Sequence, residues 1–290
     1  MNAVDVLRFA MRHPLNRARP LAAAWRVLRW QMLTRLRPGV RTVPFVDGAV
    51  LRVARGMTGA TGNVYCGLHE YADMAFMLHW LREDEWFVDV GANVGSWTVL
   101  AAAACRARVL ALEPDAAARA ALQANLRANA IEDRVEVLAC AAAAVAGERW
   151  FSLGDDTTNR LLDAAAGPRA TVVHAEALDA LLAGRVPALL KVDVEGSETE
   201  VFDGARRLLA DGAPQAMVVE FGGPGGAALL RRLREAGFQP CTYEPADRCI
   251  SVVDAAEPGG NVLLLRDPQA ARARVATAPR RFIHATGGWL

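Results

Sequence analysis

Between residues 87 and 97 the chain reads "FVDVGANVGSW", an apolar run that ends in an acid and passes through two glycines into an apolar helix. Asp89, Gly91, Asn93 and Gly95 thus gather where a strand gives way to a helix. Gly91 lets the main chain approach a ligand closely, Gly95 permits tight packing of helix on strand, and the free amides opening the helix at Val94 face the same place. Further on, Glu113 closes the run "VLALEPD", where a carboxylate can accept hydrogen bonds from both hydroxyls of a ribose. A third block, "KVDVEGSE", holds Lys191, Asp193, Glu195 and Glu198, and Lys191 is the only lysine in the chain. Charged groups at a strand end are costly to bury unless they pair, and carboxylates clustered with a cation are how a proton acceptor with a shifted pKa is made. Alternation along an extended strand would put Lys191, Asp193 and Glu195 on one face. The alternative is structural, an ion pair from Lys191 to Glu195 or Glu220 that holds the loop.

What is missing narrows the ligand. A dinucleotide fingerprint wants a middle glycine where this loop has Asn93, and a phosphate-binding P-loop needs a lysine that the loop lacks. A nucleoside without a polyphosphate fits better.

The elements that must position these residues follow from periodicity. Residues 1–38 read as helical and basic, with Leu21, Trp25, Leu28, Met32 and Leu36 at spacings of three and four. Such a stripe predicts a helix packed on its own domain, although it could dock at a membrane surface or on a partner. Around Asp47-Gly48 the alternation of 40–55 predicts a β-hairpin. A helix is expected over 72–81. Then follow strand 86–90, helix 94–104, strand 108–112, helix 115–130, strand 134–140, an irregular insert over 145–178 that could contain a hairpin, strand 188–193, helix 197–210, strand 215–221 and helix 225–236. This alternation implies a doubly wound α/β sheet. The runs "PCTYEP" and "NVLLLRD" leave no room for a crossover helix and are expected to pair antiparallel. Residues 267–290 read as an irregular tail.

Taken together, "FVDVGANVGSWTVLAA", "VLALEPD", "LQANLRAN", "LLKVDVEGSETEVFDGA" and "MVVEF" resemble the FkbM family of class I S-adenosylmethionine-dependent methyltransferases. The resemblance implies a Rossmann-like seven-stranded sheet with an antiparallel last strand, over residues 57–266. An N-terminal helix and hairpin extension (1–56) would precede it and the tail (267–290) follow. It implies S-adenosylmethionine as cofactor, with Asp89, Gly91, Asn93 and Gly95 around its methionine part and Glu113 on the ribose. Asp89 could instead only cap the loop. Asp193 or Glu195 would orient or deprotonate an acceptor hydroxyl, with Lys191 setting its charge state. His69 and Glu70 lie in a lead-in that folds over the cofactor as a lid. His69 is a candidate general base or else a surface or capping residue, Glu70 is a cofactor contact, and Asn63 and Tyr65 are further candidate contacts. The small, apolar "VLACAAAAVAG" offers no polar residue for adenine. Oxygen ligands at Asp193, Glu195 and Glu220 would suit magnesium, but carboxylates in such a cleft more often meet cofactor or acceptor, so no metal is expected.

The expected activity is O-methylation of a sugar, glycan, or glycosylated or polyketide natural product. The alternatives are an NAD(P)-dependent oxidoreductase, disfavoured by Asn93, and a non-catalytic adenosyl-binding module, disfavoured by the charged block. Near balance of 33 basic and 32 acidic residues gives no overall reason to expect nucleic acid as a partner. The cysteines (66, 105, 140, 241 and 249) lack metal or disulfide spacing and suit a reduced, cytoplasmic setting. The charged start argues against an export signal.

Overall fold

The structure, a computed structural model, describes residues 3–154, 159–162, 164, 169–221, 225–254 and 259–290. Two helices open the chain, α1 (Ala3–Arg12) and α2 (Pro20–Leu36), separated by a single 3-10 turn at Pro14–Asn16. One helix was expected across 1–38. Pro14 and Pro20 each open a helical turn and cannot continue the preceding one, so the segment folds back on itself. The hairpin forms from β1 (Arg41–Pro44) and β2 (Val50–Val53), with Asp47 in the left-handed region at φ 50°. Helices α3 (Thr58–Cys66) and α4 (Tyr71–Trp80) follow.

The main sheet begins with β3 (Trp86–Val90), which leads into α5 (Ser96–Val99), continued as a π-helical turn to Ala104. Next come β4 (Arg108–Leu112), α6 (Ala116–Asn129) and β5 (Val135–Leu138). Where described, the insert contains the antiparallel pairing its sequence allowed and is more regular than expected. It forms β6 (Ala141–Ala142), β7 (Gly147–Ser152), β8 (Leu161–Leu162) and β9 (Ala170–Glu176), a separate four-stranded sheet in the order β6-β9-β7-β8. Residues 155–158, 163 and 165–168 of that insert lie outside the described residues. Helix α7 (Leu178–Leu182) and strand β10 (Pro187–Val192) return to the main sheet.

The helix expected over 197–210 is two, α8 (Glu198–Asp203) and α9 (Arg206–Ala210). They break at Gly204, where a Cβ would stand 2.1 Å from the Ala143 carbonyl oxygen. After β11 (Ala216–Phe221) and α10 (Gly226–Glu235) the chain makes β12 (Gln239–Glu244), β13 (Cys249–Val252) and β14 (Gly260–Leu265). The sheet therefore has eight strands rather than seven, in the order β13-β12-β14-β11-β10-β3-β4-β5. The extra one is the edge strand β13, paired antiparallel with β12, and β14 is antiparallel to both β11 and β12. The final residues are not irregular either: they form α11 (Pro268–Ala276) and a small hairpin of β15 (Phe282–Ile283) and β16 (Gly288–Trp289), which bridges back to Val46.

The central strands are apolar on both faces, as parallel strands covered by helices on each side must be. Phe87, Val109, Ala111 and Leu189 pack into a core shared with α2, α3, α4 and the hairpin. Val88, Val90, Leu110, Leu112, Leu190 and Val192 pack into the opposite core under α8 to α10. The block "LQANLRAN" has a structural use: Asn125 Oδ1 accepts from Arg52 N at 2.6 Å, and Asn129 exchanges two hydrogen bonds with Val50. One turn apart on α6, these asparagines hold the hairpin to the domain.

Candidate active site

Strand order reverses between β3 and β10, which are parallel neighbours although far apart in sequence. At such a switch point the connections part, leaving a crevice beyond the carboxyl ends of the strands. A cavity of about 300 Å³ opens there, lined by Gly91, Asn93, Glu113, Lys191, Asp193, Glu195, His69 and Glu70 among others. These eight, all named from the sequence, thus share one cavity.

Asp89 and Gly95 do not line it. Asp89 is fully buried behind the wall, where its Oδ2 accepts from Thr98 Oγ1 at 2.7 Å and its Oδ1 has no hydrogen-bond partner among the described residues. Burial raises its pKa, and the cross-strand neighbour Lys191 offsets part of that rise. Gly95, at φ 87°, serves packing between helices: a Cβ there would stand 2.2 Å from Leu122 Cδ1 on α6.

The loop's main chain is more fully engaged than its spacing implied. Asn93 N donates to Glu113 Oε2 at 2.7 Å, and Val94 N donates to Asn93 Oδ1 at 2.7 Å, so neither amide is left open. Gly91, at φ 84°, also admits the Asp193 carbonyl, since a Cβ there would lie 1.9 Å from that oxygen. The glycine therefore allows the two strand-end loops to touch, which fixes the cavity floor.

Glu113 is buried, with Oε1 taking the Asp115 amide at 2.7 Å. Burial pushes its carboxyl up to about 7, partly countered by the two amides. Each oxygen keeps a second lone pair for a ligand hydroxyl.

The strand β10 stops at Val192, so Asp193 and Glu195 sit in the following loop, Glu195 in the left-handed region at φ 55°. Lys191 pairs with Asp193, Nζ to Oδ2 at 2.7 Å, and not with Glu195 or Glu220. Burial would favour the neutral amine, yet the carboxylates of Asp193, Asp89 and Glu70 outweigh it and raise the Lys191 pKa. Burial likewise pushes Asp193 up, and Lys191 overrides it, holding the carboxylate below its usual range. Oxygens of Asp193, Glu195 and Glu220 lie within 4.8 Å of one another. Half-buried beside these two acids and hydrogen-bonded to Asp193, Glu220 is pushed up to about 8, desolvation being the largest cause.

The lead-in supplies the remaining wall. Glu70 accepts from Trp97 Nε1 at 2.7 Å and from Asn261 Nδ2 at 2.6 Å. Burial lowers the His69 pKa, and its ring meets Phe9 edge-on at 5.1 Å. Asn63 and Tyr65 do not line the cavity: Asn63 accepts the His69 amide at 2.8 Å, and the Tyr65 hydroxyl takes a hydrogen bond from Gln31 on α2 at 2.8 Å.

Cys140, Ala141, Ala142, Phe151 and Leu161 form a further, largely apolar wall of the cavity, to which the sequence assigned no ligand contact. The last two come from the insert, whose pairing with the domain no local pattern could show.

Residues 89–240 match the Methyltransferase FkbM domain family. No curated protein matches the sequence. Among solved structures, precorrin-6Y C5,15-methyltransferase from Geobacter metallireducens is similar at 12% identity and a TM-score of 0.41, over 74% of this chain and 91% of that one. An rRNA methylase from Streptococcus thermophilus is similar at 12% identity and 0.40, over 67% and 93%. M. jannaschii TYW2 in complex with AdoMet is similar at 14% identity and 0.38, over 78% and 84%.

Proposed function

The chain belongs to the FkbM methyltransferase family, with S-adenosylmethionine as its cofactor, and on that premise we propose that it methylates a hydroxyl of a sugar, glycan or related natural product. When bound, the cofactor supplies a methyl group on a sulfonium, already activated for in-line displacement. The donor set of the cavity fits such a ligand: carboxylates for hydroxyls and for positive charge, and an apolar slot for a base. Glu113 takes the ribose hydroxyls, and the bend from Gly91 to Asn93, with Glu70, borders the amino-acid portion. Phe151, Leu161 and Cys140–Ala142 flank the adenine by apolar contact. Asp89 and Gly95 act from behind the wall, the first through Lys191 and the second by packing.

The observation that carries the hydroxyl reading is the Lys191–Asp193–Glu220 cluster on the same cavity as Glu113. A methyl acceptor must lose a proton as its oxygen forms the new bond, and a positioned carboxylate can take it. Asp193, kept ionised by Lys191, accepts the hydroxyl's hydrogen bond and orients the oxygen. Glu220, with the higher pKa, is the stronger proton acceptor once ionised. Glu195, half-buried at the loop, reaches the acceptor. His69 stays neutral and closes the lid side.

The test is methyl transfer from labelled S-adenosylmethionine to a panel of hydroxylated glycans. Turnover should rise with pH through about 8. Asp193→Asn and Glu220→Gln should each retain S-adenosylhomocysteine binding yet lose about 10²–10⁴ in turnover. Full turnover in both variants would remove the hydroxyl chemistry. A thermal shift with NAD(H) in place of S-adenosylhomocysteine would point to the oxidoreductase class.

A further inference from the structure

Helix α2 is apolar on two faces, and the protein covers only one. Ala23, Val27, Trp30 and Thr34 are buried against the domain. Leu21, Trp25, Leu28, Met32 and Leu36, the stripe expected to pack inward, stand 49–78% exposed. The helix cannot roll to hide them, because its inner side is tied down: Arg26 donates to the Tyr65 carbonyl at 3.1 Å and to Asn16 Oδ1, while Gln31 donates to the Tyr65 hydroxyl. A contiguous row of large apolar side chains left in water marks a surface meant to be covered.

Charge indicates what covers it. Residues 6–46 contain nine arginines and no aspartate or glutamate, whereas the rest of the chain has 24 basic residues against 32 acidic. The molecule is therefore strongly polarised despite its formal charge of +1. Arg17, Arg19, Arg29, Arg35 and Arg37 are all exposed around the stripe. Of the nine, only Arg8 forms an ion pair among the described residues, with Asp5. Leucine, tryptophan and methionine between arginines is the composition of a helix lying in the plane of a bilayer, its apolar side in the acyl boundary and its guanidiniums at anionic headgroups. Nucleic acid would favour a polar, basic face and leave Leu21, Trp25 and Leu28 unused. No helix among the described residues is long and apolar enough to cross a membrane. We propose that the outer face of α2 is a peripheral docking surface for an anionic lipid bilayer. Through Tyr65 it is coupled to α3, whose first residues Thr58 and Gly59 line the cavity.

The experiment is sedimentation of the full chain with vesicles of phosphatidylcholine alone and of phosphatidylcholine with phosphatidylglycerol. Binding should require phosphatidylglycerol, weaken with salt, and shift Trp25 emission to shorter wavelength, a shift that Trp25→Phe removes. Arg29→Ala and Arg35→Ala should each weaken binding roughly fivefold. Leu21→Ser with Leu28→Ser should weaken it more than tenfold without changing the melting curve, since both side chains are exposed. No binding to phosphatidylglycerol vesicles, or binding that the serine variant retains, overturns the proposal. So does a dimer in solution that the serine variant dissociates, because a second copy then covers the face. Single-stranded RNA that binds this face in preference to vesicles would overturn it as well.

Discussion

Glu113 meets the Asn93 amide on one carboxylate oxygen and the Asp115 amide on the other, so its plane is fixed before any ligand arrives. Fixing an acceptor in advance spares the ligand that ordering cost. Burial has nevertheless pushed this acid up to about 7, and only its ionised form can accept from both ribose hydroxyls. Above that pH the acceptor is present; below it, binding must first expel a proton. S-adenosylhomocysteine affinity should therefore rise across pH ~6 to ~8, by up to tenfold per unit on the acid side. Glu113→Gln should bind about tenfold or more weakly at pH ~8 and show a flat profile, since an amide can still hold one hydrogen bond but does not titrate. Calorimetric titration at several pH values checks this, and a Gln variant that keeps the slope would assign the titration elsewhere. Lys191 and Asp193 work by the opposite logic: each holds its partner charged in a setting where either alone would neutralise.

At the scale of elements, the contact between the two strand-end loops sets the shape of the site, and Gly91 permits it. In Gly91→Ala the new methyl would overlap the Asp193 carbonyl and the residue would keep a left-handed φ of 84°. The overlap and the backbone strain together should cost about 2–4 kcal/mol. Gly212, at φ 80° with nothing within 4 Å, is the control, and Gly212→Ala should cost only the strain, about 1 kcal/mol. Urea denaturation with unchanged slope would measure both, and equal losses would discard the loop-contact account. Strands 86–90 and 108–112 were legible because apolar runs bounded by turn residues need no tertiary information. Other elements were not. The break at Gly204 depends on the distant Ala143 carbonyl. The β15–β16 hairpin is fixed by bonds such as Asp47 N to Phe282 O at 2.9 Å. Periodicity found the apolar stripe of α2 but could not tell which of two apolar faces turns inward. In the site, the charged block, Glu113 and Glu220 as a third carboxylate beside Asp193 and Glu195 were readable from the sequence, whereas Phe151 and Leu161 required the fold to bring strands and insert together.

Across the whole molecule, the buried titratable groups divide into two sets that act on stability in opposite directions. His13, His69 and His79 have pKa values lowered from 6.5, with burial the largest cause and His79 brought to about 4. The unfolded chain takes up protons at these sites that the folded one refuses, so their stabilisation is lost as pH falls below about 6.5. Glu113, Glu220 and Asp73 are raised to about 7, about 8 and about 6, so the folded chain holds protons there that the unfolded one has released. For an acid with a raised pKa, stability falls as pH climbs toward the folded value. Lys191 and Asp193 do not contribute within this window, because their unfolded values, 10.5 and 3.8, lie outside it. The free protein should be most stable between pH ~6 and ~7, with urea midpoints declining on both sides. The alkaline loss should be on the order of 1 kcal/mol by pH ~8.5, kept small by the partial exposure of Glu220. Saturating S-adenosylhomocysteine should lift the alkaline limb more than the acid one, because it binds the form in which Glu113 is ionised. Glu113→Gln combined with Glu220→Gln should flatten that limb and steepen the acid one, because two acids that hold protons only in the folded chain from their unfolded value of 4.5 upward no longer oppose the histidines. If the double variant instead declines above pH ~7 as steeply as the parent, the two carboxyls are already ionised at neutral pH, and a rise of turnover through about 8 must come from another group on the cavity wall.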